Sequence, residues 1–169
     1  GTGGDSGSGQ GGGGYSNGSI DQATFEGMKD LAFDSAGNLF VLTNHRIRKI
    51  EFSGDAASVS DFIGSGNWGD QDGQGNDVRF GDVSNIVFDS SDNLYYADRN
   101  HQKIKKVSQD GTSTTIAGNG NWDYVDGFGV NARFRSPSYL AIDSSNNLFV
   151  TDSDNNRIRK LELQSDGQY

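Results

Sequence analysis

The segment Asp70-Gln71-Asp72-Gly73-Gln74-Gly75-Asn76-Asp77 gathers carboxylate and amide oxygens about a glycine turn. That is the donor set a hard cation such as calcium requires. The segment recurs 54 residues later, and there Tyr124 and Asn131 replace Asp70 and Asp77. Only Asp72 and Asp126 persist, which fits a carboxylate capping a short turn ahead of Arg79 and Arg133 better than a metal ligand. His45 and His101 fall at equivalent repeat positions on separate copies, so they do not converge as a zinc centre needs, and each is expected to pack at a strand junction. No nucleophile and base pair at diagnostic spacing appears among the many serines, and covalent catalysis has no support. The expectation is no catalytic residue, no metal and no cofactor.

The aromatic residues carry a different chemistry. Trp68 and Trp122 recur at one loop position, with Tyr124 two residues after the second, and Tyr15 lies near the N-terminus. Exposed, they would stack on a sugar ring or anchor a protein contact. Buried, each indole would plug the space between neighbouring repeats. Asn17-Gly18-Ser19 is a sequon for N-glycosylation.

These residues sit in a repeat of 54 or 55 residues. Residues 64–107 align without a gap beneath residues 118–161, pairing Trp68 with Trp122, Asp72 with Asp126, Arg79 with Arg133 and Phe80 with Phe134. Residues 31–50 give the second half of the unit a third time, with the loop before Asn44 two residues shorter. Each copy opens with an apolar run, then an Asp (Asp34, Asp89 or Asp143) leading a small polar turn whose amides it can bond. A second strand follows in LFVLT, LYYAD and LFVTD, and a third in RIRKIEF, KIKKVS and RIRKLEL, whose basic residues are expected along a half-solvated outer face. A fourth strand is expected at residues 59–63 and 114–117. The unit is a four-stranded antiparallel meander with a loop of about 16 residues, which stacks on neighbours because it cannot bury its apolar faces alone.

Composition agrees. With 25 Gly, one Pro and many Asp, Asn and Ser, the chain suits short strands joined by tight turns. The net charge of −9 repels a phosphate backbone, so no nucleic-acid partner is expected. No apolar run reaches the ~20 residues of a membrane helix, and no charged-then-apolar leader is visible; if the protein is secreted, the leader has been removed. Zero cysteines exclude disulfides without fixing a compartment.

Residues 1–24 form a Gly-rich, low-complexity head that offers little besides backbone hydrogen bonds. It is expected to be ordered against another protomer or along its own core, with Tyr15 and Ile20 as anchors, and it could donate a strand.

The elements Ala-Gly-x-Gly, Asp-Gly-x-Gly, Ala-Arg-Phe, Asp-x-x-x-Asn-Leu-Phe-Val-x-Asp and Asn-Asn-Arg-Ile-Arg-Lys resemble the NHL repeat family from Phe25 to about Leu163. Asn44-His45 and Asn100-His101 sit where that family has its Asn-His doublet; Asn155-Asn156 departs from it. The long loop containing Asp-Gly resembles bacterial and extracellular members. The resemblance implies a β-propeller, usually of six blades, serving mostly as a platform for proteins, peptides, glycans or sometimes RNA. Some relatives are enzymes, notably an amidating lyase.

The expected architecture is all-β, with propeller-type blades at 25–79, 80–133 and 134–169, the last partial. The leading functional expectation is a non-enzymatic scaffold whose blades associate between chains as a ring or filament, the head ordered by that contact. The alternative is a protein- or glycan-binding module of a larger secreted or surface protein, and an extracellular or cell-surface location is expected, with the sequon at Asn17 as its one outward pointer. A metal-dependent lyase or hydrolase ranks third.

Overall fold

The computed structural model describes residues 15–169; the part of the head at 1–14 lies outside the described residues. Among these, every named sheet is antiparallel. The first contains β1 (Gly18–Ser19), β2 (Asp30–Phe33), β3 (Leu39–Leu42), β4 (Ile47–Ser53) and β5 (Ala56–Ile63), in the order β1-β5-β4-β3-β2. The second contains β6 (Gly73–Gln74), β7 (Ile86–Phe88), β8 (Leu94–Asp98), β9 (Lys103–Val107) and β10 (Thr112–Ala117), in the order β6-β10-β9-β8-β7. The third contains β11 (Pro137–Ile142), β12 (Leu148–Asp152) and β13 (Arg157–Leu161). Each fourth strand starts earlier than its apolar residues suggest, because the tight turn before it closes on Ala56 and Thr112.

The turn between the first two strands of each blade is built on one carboxylate. Asp34 accepts from the backbone N and Nδ2 of Asn38, both at 2.8 Å. Asp89 and Asp143 accept from the corresponding atoms of Asn93 and Asn147 at 2.8–2.9 Å. The left-handed residue before each Asn is Gly37, Asp92 or Asn146, residue types that tolerate positive φ.

Blades pack face to face. Phe40, Leu42, Ile47 and Ile63 of the first meet Phe80, Ile86, Leu94 and Tyr96 of the second. Tyr95, Ala97 and Ile104 on the second blade's opposite face meet Phe134, Leu140, Leu148 and Val150 of the third. Successive strand residues point to opposite faces, so each blade supplies one face to each neighbour and the core runs along the stack. Polar groups repeat across the seams: Asp30 accepts from Ile86 N at 2.8 Å, and Asn85 exchanges two bonds with the backbone of Leu140.

The third strands differ from the sequence expectation. Arg48, Lys105 and Arg159 occupy one position of β4, β9 and β13 and are buried. Alternation puts Lys105 on the face of Tyr96 and Arg159 on the face of Val150, which meet the preceding blade, and Arg48 on the face of Val41; none lies along a half-solvated outer face, because the long loop folds over each.

Candidate binding face and its loop scaffold

The loops at 15–25, 70–80 and 124–134 are built alike at their bases, although only the second and third carry a 3-10 turn, at Gly75–Asp77 and Gly129–Asn131. Each is closed by an antiparallel bridge, Ser16 to Thr24, Gln71 to Arg79 or Val125 to Arg133. In the first two, a Gly-led strand continues outward: β1 pairs with β5, and β6 with β10. Residues 15–24, read from sequence as the end of the Gly-rich head, therefore make the first copy of the long loop, against their own blade. Gly18, Gly73 and Gly127 mark the same place, as do Phe25, Phe80 and Phe134.

A buried cation from the third strand holds each loop. Arg159 donates from Nη2 to Asp126 at 2.6 Å and to the Val125 carbonyl at 2.9 Å, and from Nη1 to the Arg133 carbonyl at 3.0 Å. Arg48 repeats this on Ser16, Asn17 and Thr24. Lys105, with one nitrogen, donates to Asp72 at 2.6 Å and Asp70 at 3.1 Å. Asp72 also accepts from the N and Oγ1 of Thr115, both at 2.9 Å. Asp72 and Asp126 thus clamp the loop to a cation and do not cap the turn before Arg79 and Arg133. Chemistry explains the exchange: an ammonium is a compact charge met by carboxylates, while a planar guanidinium also stacks on an aromatic face. Accordingly Asp70 lies between Lys103 and Lys105, whereas Tyr124 lies under Arg157 at 4.3 Å and Arg159 at 4.7 Å, and Tyr15 under Arg46 at 4.0 Å and Arg48 at 4.8 Å.

Charge stays matched where it is buried. Burial raises the Asp70 carboxyl, but hydrogen bonds from Lys103 and the charge of Lys105 outweigh that and leave it below its ordinary value. Burial, then the charge of Arg46, lowers Arg48. Its carboxylate is Asp61 on β5, 3.5 Å from Nε, and Tyr15 also donates its hydroxyl to Asp61. Asn17 in the loop is thus paired with Asp61 in the strand, where the second blade has Asp72 and Thr115.

This scaffold presents the indoles. Trp68 and Trp122 are 60% and 65% exposed, so neither plugs an inter-blade gap. Trp68 rests on the His101 ring of the next blade at 4.7 Å, and His101 Nδ1 lies 2.9 Å from the buried Asp98. In the third blade the counterpart of His101 is Asn155, which donates to the Asp123 carbonyl at 3.1 Å. Arg133 pairs with Asp123 at 3.1 Å; among the described residues Arg79 has no ion pair, since Gly69 stands at the corresponding place. Gly64 and Gly118 show that the histidines are not equivalent: a Cβ on Gly64 would strike the His45 carbonyl at 2.4 Å, and one on Gly118 the Gln102 carbonyl at 2.1 Å. His45 therefore corresponds to Gln102. The shortened loop hides this in the sequence. Asn17 is exposed, with its Oδ1 held by Arg48 at 2.8 Å.

Stacked four-stranded meanders with these seams are β-propeller blades. The model of the NHL repeat matches residues 134–161, in the third blade. The chain is 32% identical over 97 residues to Protein SUPPRESSOR OF QUENCHING 1, chloroplastic, of Arabidopsis thaliana, covering 57% of this chain and 9% of that protein. Among solved structures it is similar to an auxiliary nutrient binding protein from Bacteroides ovatus, at 25% identity and a TM-score of 0.69, covering 77% of this chain and 36% of that one. A streptogramin B lyase shares the fold at 15% identity and a TM-score of 0.57, over 90% of this chain and 42% of that one. The chain thus spans less than half the length of each of these relatives. No helix among the described residues is long and apolar enough to cross a membrane.

Proposed function

We infer that the chain is a non-enzymatic binding module whose loop rim, carrying Trp68, Trp122 and Tyr124, takes a glycan or protein ligand at the surface of a cell. The observation that carries this is the paired exposure of Trp68 and Trp122 beside loops clamped by the buried cations Lys105 and Arg159. An aromatic held in place by its scaffold loses little side-chain freedom on binding, so most of its contact area contributes to affinity. The similarity to a protein called nutrient binding supports the same reading. Trp68→Ala and Trp122→Ala should each weaken capture on a glycan array or an immobilised partner by about 2 kcal/mol, with melting temperature shifted by no more than about 2 °C. Undiminished capture by the double variant rejects the reading.

A second reading, association between copies, is favoured by the outer faces of the arc. Leu31 is 58% exposed although its counterparts Ile86 and Leu140 are buried, and Ile158 is 74% exposed although Ile47 and Ile104 are fully buried. One copy's third blade against another's first would cover both and produce a ring or a filament. Light scattering at micromolar concentration tests it; a monodisperse species of 18.1 kDa removes it.

A further inference from the structure

We propose that the cavity between the first two blades binds a small aromatic amine, its ring against Phe40, Phe62 and Phe88 and its ammonium among the carboxylates of Asp34, Asp92 and Asp110. The cavity measures about 480 Å³, is walled by residues of both blades, and includes neither tryptophan in its lining. On its apolar side the Phe40 ring meets Phe62 at 5.0 Å and Phe88 at 4.9 Å, both edge-on. A space of this size between packed elements, with aromatic walls and a few charged groups, suits a small organic ligand.

The seam between the second and third blades shows what this space takes. There Tyr169 is buried at the equivalent place, its ring 5.8 Å from that of Tyr95 and its hydroxyl donating to the Asn146 carbonyl at 2.8 Å. The equivalence rests on a repeated bond: Gly129 N donates to Tyr169 O at 3.0 Å, as Gly75 N does to Gly111 O at 3.0 Å. With glycine at 111, no ring enters the first seam. Further exchanges set the charge of the open space. Phe40 stands for Tyr95, whose hydroxyl donates to Asp89 at 2.8 Å, so the matching carboxylate of Asp34 keeps only its Asn38 partners. Asp92 stands for Asn146, and Asp61 for Thr115. Asp61 is matched by Arg46 and Arg48, and Lys49, the one cation on the cavity wall, is matched by Glu51 at 2.7 Å. Asp34, Asp92 and Asp110 accept only from neutral groups, those of Asn38, of Ser35, and of Ser108, Thr112 and Gln74, and have no ion pair among the described residues. Nor do carboxylates and histidines converge as a metal site among the described residues. An ammonium carried on a ring meets both halves of the cavity, through charge-assisted bonds to the carboxylates and edge or face contact with the phenylalanines.

The test is calorimetric titration of the full chain with 2-phenylethylamine, with amide shifts followed by NMR. Saturable binding is expected, with shifts centred on Phe62, Asp92 and Asp110. Butylamine, which lacks the ring, and 3-phenylpropionate, which reverses the charge, should each bind about tenfold or more weakly. Phe40→Tyr supplies the missing hydroxyl to Asp34, and Asp92→Asn removes a carboxylate as Asn146 does. Both copy a residue that a neighbouring blade carries at the same place, and each should weaken binding by about tenfold, while Trp68→Ala leaves it unchanged. If Phe40→Tyr fails to fold, Asp92→Asn alone decides. Absence of saturation at millimolar amine, equal binding of the propionate, or undiminished binding by the variants overturns the proposal. Loss of binding in Trp68→Ala also overturns it, by assigning the amine to the rim.

Discussion

Asn17 accepts a hydrogen bond from the buried guanidinium of Arg48 at 2.8 Å. Asp72 and Asp126 occupy the same position in the other two loops, against Lys105 and Arg159. Asn17→Asp would therefore give Arg48 a charged acceptor at an established geometry. Arg46 also lies nearby, so the added carboxylate enters a site holding two guanidiniums and one carboxylate, Asp61. A charge-assisted bond at a partly exposed site adds about 0.5–1 kcal/mol. The expected outcome is a melting temperature higher by about 2–4 °C, while Asn17→Ala lowers it. Both are read by calorimetry.

The second prediction concerns the exchange between blades. Asp70 between two lysines and Tyr124 under two arginines are alternative solutions to one packing problem. Asp70→Tyr alone leaves Lys103 without its carboxylate and removes one of the two that Lys105 holds, at a cost of about 1–3 kcal/mol. Adding Lys103→Arg and Lys105→Arg recreates the third blade's arrangement and should recover most of the loss. Urea denaturation of the single, double and triple variants measures the coupling; additive effects contradict the exchange.

The blades, the Asp-led turns and the recurrence of Trp68 and Trp122 are legible in the sequence because strand period and turn chemistry are local. The first loop is not. Between residues 15–25 and 70–80 only the glycine and the phenylalanine coincide, and Gly-rich sequence upstream makes Tyr15-Ser16-Asn17 look like more of the head. Tyr15 and Phe25 do match Tyr124 and Phe134, and that was the available signal. The buried cations were hidden for another reason. Alternation along KIKKV places Lys103 and Lys105 on one face, but only the three-dimensional path of the loop decides that Lys105 is covered and Lys103 is not. The exposure of the tryptophans is likewise set by how the loop leaves the seam.

The third prediction is pH dependence. Several carboxyls have lowered values. For Asp89, burial raises it, but bonds from Asn93, the Tyr95 hydroxyl and Ser91 N prevail; for Asp143, the side chain and backbone of Asn147 dominate. Each contributes stability that is present above the unfolded value near 3.8 and is lost as pH falls through the lower folded value. Asp61 is raised by burial, so its contribution is present below its unfolded value and lost as pH rises through the folded one. Stability should therefore collapse below about pH 4, with a shallow maximum just above it contributed by Asp61. Urea midpoints across about pH 3–7 measure the profile; Asp89→Asn should soften the acid collapse, and Asp61→Asn should remove the maximum.

Ile104 and Ile158 hold the same place in β9 and β13 but opposite surroundings. Ile104 is buried in the seam between the second and third blades, and Ile158 is 74% exposed on the arc's outer face. Truncating Ile104 to Ala removes apolar contacts and leaves a cavity, at about 2–5 kcal/mol. Truncating Ile158 exposes nothing new, so Ile158→Ala should lie within about 0.5 kcal/mol of the parent when the chain is dilute. The contrast becomes diagnostic as concentration rises. If another blade covers this face in an assembly, Ile158→Lys and Leu31→Lys each place a charge in a seam like the one around Ile104, and both should abolish assembly while the dilute melting curve is unchanged. Ultracentrifugation of the parent and the two lysine variants decides it. Identical sedimentation of all three at every concentration leaves the loop rim as the working surface of the molecule.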